Sequence, residues 1–168
     1  KASYPKWARK LLKEACKTIL LRTEDDMHTG IEDAKKEFKG LSVEDIAIPR
    51  GVNGIEKYTN KDEGSFKLYI KKTPPHTKGC ILHNNLIETK GFKHIQPITD
   101  GDKIKFVKLT LPNPIRDTEI AFDGKLPPEF NLHKHIDRNG IFEVTYMAPL
   151  RAMLDSVNWT EKKIIRLF

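Results

Sequence analysis

The chain has 168 residues, 38% of them hydrophobic, enough for a real core in one domain or in one domain with a small lobe. With 30 Lys and Arg against 23 Asp and Glu, the net charge is +7, which points to an acidic partner: nucleic acid first, a membrane surface or an acidic protein after it. No apolar run approaches the roughly 20 residues that cross a bilayer, and Cys16 and Cys80 stand too far apart for a zinc pair or a disulfide framework, so a soluble, reduced, intracellular chain is expected.

The chain begins at Lys1 without a methionine, and a piece of a longer protein is expected. SYPKWARKLLKEACKTILL predicts an amphipathic helix with Ser3 as N-cap, Pro5 in its first turn, and Trp7, Leu11, Leu12, Ala15, Ile19 and Leu20 facing inward. Lys6, Arg9, Lys10, Lys13 and Lys17 form its polar face, a solvated surface or a phosphate-facing one. A second helix is predicted from Gly30 to Lys39, with Ile31, Ala34 and Phe38 inward and Gly40 as its stop.

Ile46 and Ile48 then alternate as in a short buried strand before Pro49 and two glycines break the pattern. Arg50, Gly51, Lys57 and Tyr58 put charge, bare backbone and a phenol close together, a combination suited to a sugar–phosphate strand or, equally, to an ordinary loop. In FKLYIKKTPP, Phe66, Leu68 and Ile70 alternate as a strand that ends in Lys71 and Lys72. A helix follows the double proline, with Cys80, Ile81, Leu82, Leu86 and Ile87 buried. His76 and Lys78 fall in its first turns, where unpaired N–H groups and the positive end of the helix dipole already favour an anion.

GDKIKFVKLTL predicts one or two strands through Ile104, Val107, Leu109 and Leu111, EIAFDGKLPPEF reads as loop, and the chain from Asn131 onward reads as helix. His133 and His135 are poor metal candidates, since residues two apart on a helix diverge and no cysteine or carboxylate cluster completes a site. The sequence contains no phosphate-binding Gly-rich loop ending in Lys and Ser or Thr and no nucleophile elbow. Its acidic residues are scattered among lysines rather than gathered to hold two metal ions.

The order of SYPKWARKLLKEA, IAIPRG, IEKY, TPPHTKG, CILHNN, GDKIKFVKL with a downstream NP, and a tail ending EKKIIRLF resembles the thumb region of the family B replicative DNA polymerases of large tailed bacteriophages, over nearly the whole chain. The resemblance implies an α+β fold, mainly helical, with residues 1–168 as a polymerase thumb that closes over primer–template duplex DNA without reading its sequence. It assigns Arg50, Gly51, Lys57, Tyr58, Lys72, His76, Lys78 and Gly79 to the duplex-facing surface, with His76 a backbone-facing donor or a structural residue. Lys78 stands where the family often has Arg.

The resemblance also implies that residues 160–168 dock on a sliding clamp through Ile164, Ile165, Leu167 and Phe168, although these apolar groups would serve as well folded back on the domain. The palm, fingers and exonuclease would precede Lys1. The parent reaction would use deoxynucleoside triphosphates and a divalent metal such as Mg in the cytoplasm of the infected host, and this chain would hold no cofactor and catalyse nothing alone. An independent basic module for RNA, DNA or an acidic protein, or a separately encoded subunit of a split polymerase, are the alternatives.

Overall fold

The computed structural model describes residues 3–162, so the tail residues Ile164, Ile165, Leu167 and Phe168 lie outside it. The chain divides into two compact units, Lys1–Ile46 with Asn139–Phe168, and Ala47–Arg138. The helix-rich content with a small antiparallel sheet agrees with the α+β expectation.

In the first unit α1 (Lys6–Leu21) buries Trp7, Ala8, Leu11 and Ala15. Its N-cap residue is Pro5 rather than Ser3. Leu20 is exposed rather than inward, because it lies beyond the stretch of α1 that its partners cover. Helix α2 (Glu24–Lys39) starts well before Gly30, because Thr23 and Asp26 form a reciprocal capping box. Thr23 Oγ1 accepts from Asp26 N at 3.2 Å, and Thr23 N donates to Asp26 Oδ2 at 3.1 Å. As expected, Ile31, Ala34 and Phe38 are buried and Gly40 ends the helix.

After α3 (Val43–Ile46), the unit is completed by α6 (Arg138–Phe142), a π-helical turn (Glu143–Met147) and α7 (Ala148–Asp155). Phe142 joins these to the first two helices: its ring lies 6.0 Å from Trp7 and 5.1 Å from Phe38. Trp7 and Phe38 are themselves 4.8 Å apart, so three rings from three helices form one offset aromatic cluster.

The second unit holds a three-stranded antiparallel sheet in the order β1 (Ile48–Gly51), β2 (Lys103–Lys108) and β3 (Glu119–Phe122). Ile48 stands opposite Phe106, and Phe106 opposite Ala121. Directly opposed residues share a face, so these three, with Ile104, project toward one core that also takes Val52, Cys80 and Ile98. Helix α5 (Pro75–Lys90) opens after Pro74, as the double proline predicts, and packs against β3.

Four expectations fail in this unit. Strand β2 ends at Lys108, so Leu109 makes only a bridge and Leu111 is exposed at 58%. EIAF is strand β3, buried at all four positions, and a strand covered on both faces shows no alternation to betray it. Phe66–Ile70 forms no strand beyond a single bridge between Thr59 and Tyr69; Phe66 is fully exposed at 104% and Ile70 is 42% exposed. The stretch from Asn131 is not yet helix: His133–His135 is a single 3-10 turn, and Ile136 bridges Leu109 before α6 begins.

Candidate nucleic-acid interface

Strand β1 places Arg50 opposite Ile104, on the core face of the sheet but at its rim. Its guanidinium lies 5.9 Å from the Phe106 ring centroid, and Nη1 donates to the Pro49 carbonyl at 2.8 Å. From the first turn of α5, His76 reaches the same ring at 6.2 Å. Burial lowers the His76 pKa, and the Arg50 charge lowers it further, so the ring is neutral at physiological pH and carries no charge to offer an anion. Gly51 ends β1 in the open, with nothing within 4 Å of a Cβ built there.

Helix α4 (Ile55–Tyr58) presents Lys57 and Tyr58. Gly54, at φ 75°, turns the chain into it, and the N–H groups of Gly54 and Ile55 donate to the Asp100 carboxylate at 2.9 and 3.0 Å. That helix start is therefore already occupied by an anion from within the protein. Lys57 is exposed, its ammonium 5.4 Å from the Tyr58 ring. Tyr58 also anchors a loop, its carbonyl accepting from Ile70 N at 3.0 Å. Lys72 is exposed at φ 65°, in the turn that precedes the double proline.

Lys78 and Gly79 face inward instead. The Lys78 ammonium lies 2.6 Å from Asp117 Oδ1 and 2.5 Å from Glu119 Oε2, and donates to Thr118 Oγ1 at 2.9 Å. Burial alone would lower its pKa, but the hydrogen bonds and charges of the two carboxylates outweigh burial and raise it above ordinary lysine. Asp117 is shared with the Tyr69 hydroxyl, which donates to Oδ2 at 2.7 Å. Gly79 is a packing residue: a Cβ there would come within 2.7 Å of Ala121 N and 3.0 Å of the Ile120 carbonyl carbon, so only glycine lets α5 approach β3 this closely.

The site residues thus separate. Arg50 and His76 meet around Phe106, Lys57 and Tyr58 share α4, and Lys78 and Gly79 serve the interior. Sequence reading missed Asp117, Glu119 and Tyr69, the partners that engage Lys78, because they sit in segments read as loop or as strand. Among the described residues no group of three or more His, Cys, Asp or Glu is placed to hold a metal ion. Among those residues no helix is long and apolar enough to cross a membrane.

No family model matches the chain. It is 28% identical over 159 residues to the DNA-directed DNA polymerase of Enterobacteria phage T4, an alignment covering 92% of this chain and 17% of that polymerase. The chain therefore spans about a sixth of the length of the relative it matches. The likeness to a phage DNA polymerase drawn from the order of short motifs is borne out over nearly the whole chain.

Proposed function

We propose that this chain is the thumb of a phage family B DNA polymerase and that it grips primer–template duplex by its sugar–phosphate backbone. The observation that carries the reading is the similarity to a phage DNA-directed DNA polymerase along 92% of the chain. A net charge of +7 supports it, since backbone binding is driven by release of counterions from phosphates.

In this reading Arg50, braced against Phe106, offers a planar fork to a phosphate, while Lys57 supplies a point charge beside Tyr58 and Lys72 a third cation. Gly51 leaves the backbone bare beside Arg50. His76 shapes the Arg50 site as a neutral ring, and Lys78 with Gly79 fixes α5 to β3 behind it. None of these groups reads a base, so binding is indifferent to sequence.

Nucleotidyl transfer, with deoxynucleoside triphosphates and a divalent metal such as Mg, belongs to other parts of such a polymerase, and this chain alone incorporates no nucleotide. Its partners are primer–template duplex, the remaining polymerase domains and, through Ile164, Ile165, Leu167 and Phe168, a sliding clamp, in the cytoplasm of an infected bacterium.

The test is titration with primer–template duplex, single-stranded DNA and duplex RNA at several salt concentrations. If about four to six phosphates are contacted, log affinity for duplex DNA falls with log salt at a slope of roughly −4 to −5. Binding that ignores salt, or no preference for duplex DNA over duplex RNA, removes the reading.

A further inference from the structure

The segment from Tyr58 to Ile70 is a preorganised loop. Asn60 N donates to the Leu68 carbonyl at 2.9 Å, Asn60 Nδ2 to the Lys67 carbonyl at 2.9 Å, and Ile70 N to the Tyr58 carbonyl at 3.0 Å. Tyr69 ties the same segment to Asp117 at 2.7 Å. This ladder holds Phe66 entirely out in solvent, at 104% of its reference exposure.

Below Phe66 runs a groove of about 500 Å³, whose walls include Phe66, Lys67, Tyr69, Lys71, Ile115 and Arg116. Its walls are apolar and aromatic and its rim is cationic. Lys67, Lys71 and Arg116 are exposed, and none enters an ion pair among the described residues. The carboxylate in the lining, Asp117, is already engaged by Lys78 and Tyr69. The groove therefore presents uncompensated positive charge around an aromatic face, the arrangement on which an unpaired nucleotide stacks its base while cations hold the flanking phosphates.

We propose that this groove binds single-stranded nucleic acid, with a base against Phe66 and phosphates at Lys67, Lys71 and Arg116. The inference deepens the proposed function and rests on its nucleic-acid part: beside a grip on duplex, the same unit captures an unpaired strand. A duplex offers this groove only phosphates, because its bases are stacked on one another. A single strand offers a free π-face as well.

The experiment measures fluorescence anisotropy of the chain with four labelled probes: oligothymidine, an abasic phosphodiester of equal length, a blunt duplex, and the same duplex with a thymidine overhang. The unaltered chain binds oligothymidine more tightly than the abasic strand. Phe66→Ala weakens oligothymidine and overhang binding about fivefold or more, with an unchanged salt slope, and leaves the abasic strand and blunt duplex unaffected. Phe66→Trp retains affinity and Phe66→Leu behaves as Ala, since stacking needs an aromatic face. Lys71→Ser weakens both single strands and reduces the slope. Equal binding of oligothymidine and abasic strand, or full affinity in Phe66→Leu, overturns the proposal; the second result marks a groove for an apolar peptide. Failure of the unaltered chain on blunt duplex alone strikes the duplex grip and not this groove.

Discussion

The Lys78 ammonium and the Asp117 carboxylate lie 2.6 Å apart, each side chain no more than 16% exposed, with Glu119 Oε2 2.5 Å from the same ammonium. A lysine that the sequence offers to an external phosphate is thus neutralised from inside, and the group of three charges sums to −1. Replacing Lys78 by Met leaves two carboxylates, no more than 14% exposed, together without a cation, a loss of about 3 kcal/mol in folding stability. Lys78→Arg keeps the charge and adds a fork that suits two carboxylates, so its melting temperature stays near that of the unaltered chain. Denaturant unfolding of both variants gives the comparison. If Lys78→Met is as stable as the parent yet lowers the salt slope of duplex binding by about one, Lys78 is a phosphate contact after all.

Gly79→Ala tests the packing of α5 on β3. The added methyl meets backbone atoms of Ile120 and Ala121, which cannot swing aside as a side-chain end would. We expect destabilisation of about 2 kcal/mol from overpacking, with duplex affinity of the folded fraction unchanged. A neutral effect on unfolding would show that the helix stands farther from the strand.

The duplex grip predicts a response at the half-buried Arg50 and the exposed Lys57. Arg50→Glu and Lys57→Glu each weaken binding of every duplex sequence and reduce the salt slope by about one. Lys35→Glu, on α2 and paired with Glu32 at 2.7 Å, serves as the neutral control. Equal losses at all three positions would mean that net charge alone attracts the DNA.

Much of this was legible in the sequence. The helical spacing of Trp7, Leu11 and Ala15 and the prolines before α5 marked elements that form where expected, whereas the strand read through Ile104, Val107, Leu109 and Leu111 ends at Lys108 and leaves Leu111 exposed. What stayed hidden depended on two-sided burial or on a distant partner. Glu119–Phe122 is buried at all four positions, so no exposed face alternates with a buried one. The role of Lys78 depends on Asp117 and Glu119, residues that only the fold brings to it. The early start of α2 was readable in principle, since Thr23 followed three residues on by Asp26 is a capping signal.

Acidification should weaken the fold through His76 and His83. Burial is the first cause of a lowered pKa in both; Arg50 adds to it at His76, while contacts with the Gln96 and Ala121 carbonyls oppose it at His83 without cancelling it. Between each lowered folded pKa and the unfolded value of about 6.5 the unfolded chain binds more protons, so stability rises with pH across that window and is lost as pH falls through it. The melting temperature at constant ionic strength therefore drops as the pH falls below the unfolded histidine value of about 6.5. His76→Gln flattens part of that slope. A melting temperature that climbs on acidification would reverse the sign and exclude both rings as its source.

The segment just ahead of the apolar tail is tied down at several points. Thr160 N donates to Glu24 Oε1 at 2.7 Å, the His28 ring meets the Thr160 carbonyl at 2.8 Å, and Arg151 Nε donates to Glu161 Oε2 at 2.6 Å while its Nη1 pairs with Glu143. These contacts gather the N-terminal turn of α2 and the face of α7 around residues 160 and 161. If the tail is a ligand for a sliding clamp, two apolar anchors entering a pocket supply several kcal/mol before the cost of ordering the segment, which suits an exchangeable contact. Deleting Leu167 and Phe168 then abolishes binding to the cognate clamp, read by surface capture of the clamp, and leaves both melting temperature and duplex affinity at their original values. Arg151→Ala shows the opposite pattern, lowering the melting temperature modestly while the clamp still binds. A marked fall in melting temperature on deleting Leu167 and Phe168, with no clamp binding by the intact chain, would make those two residues part of the core.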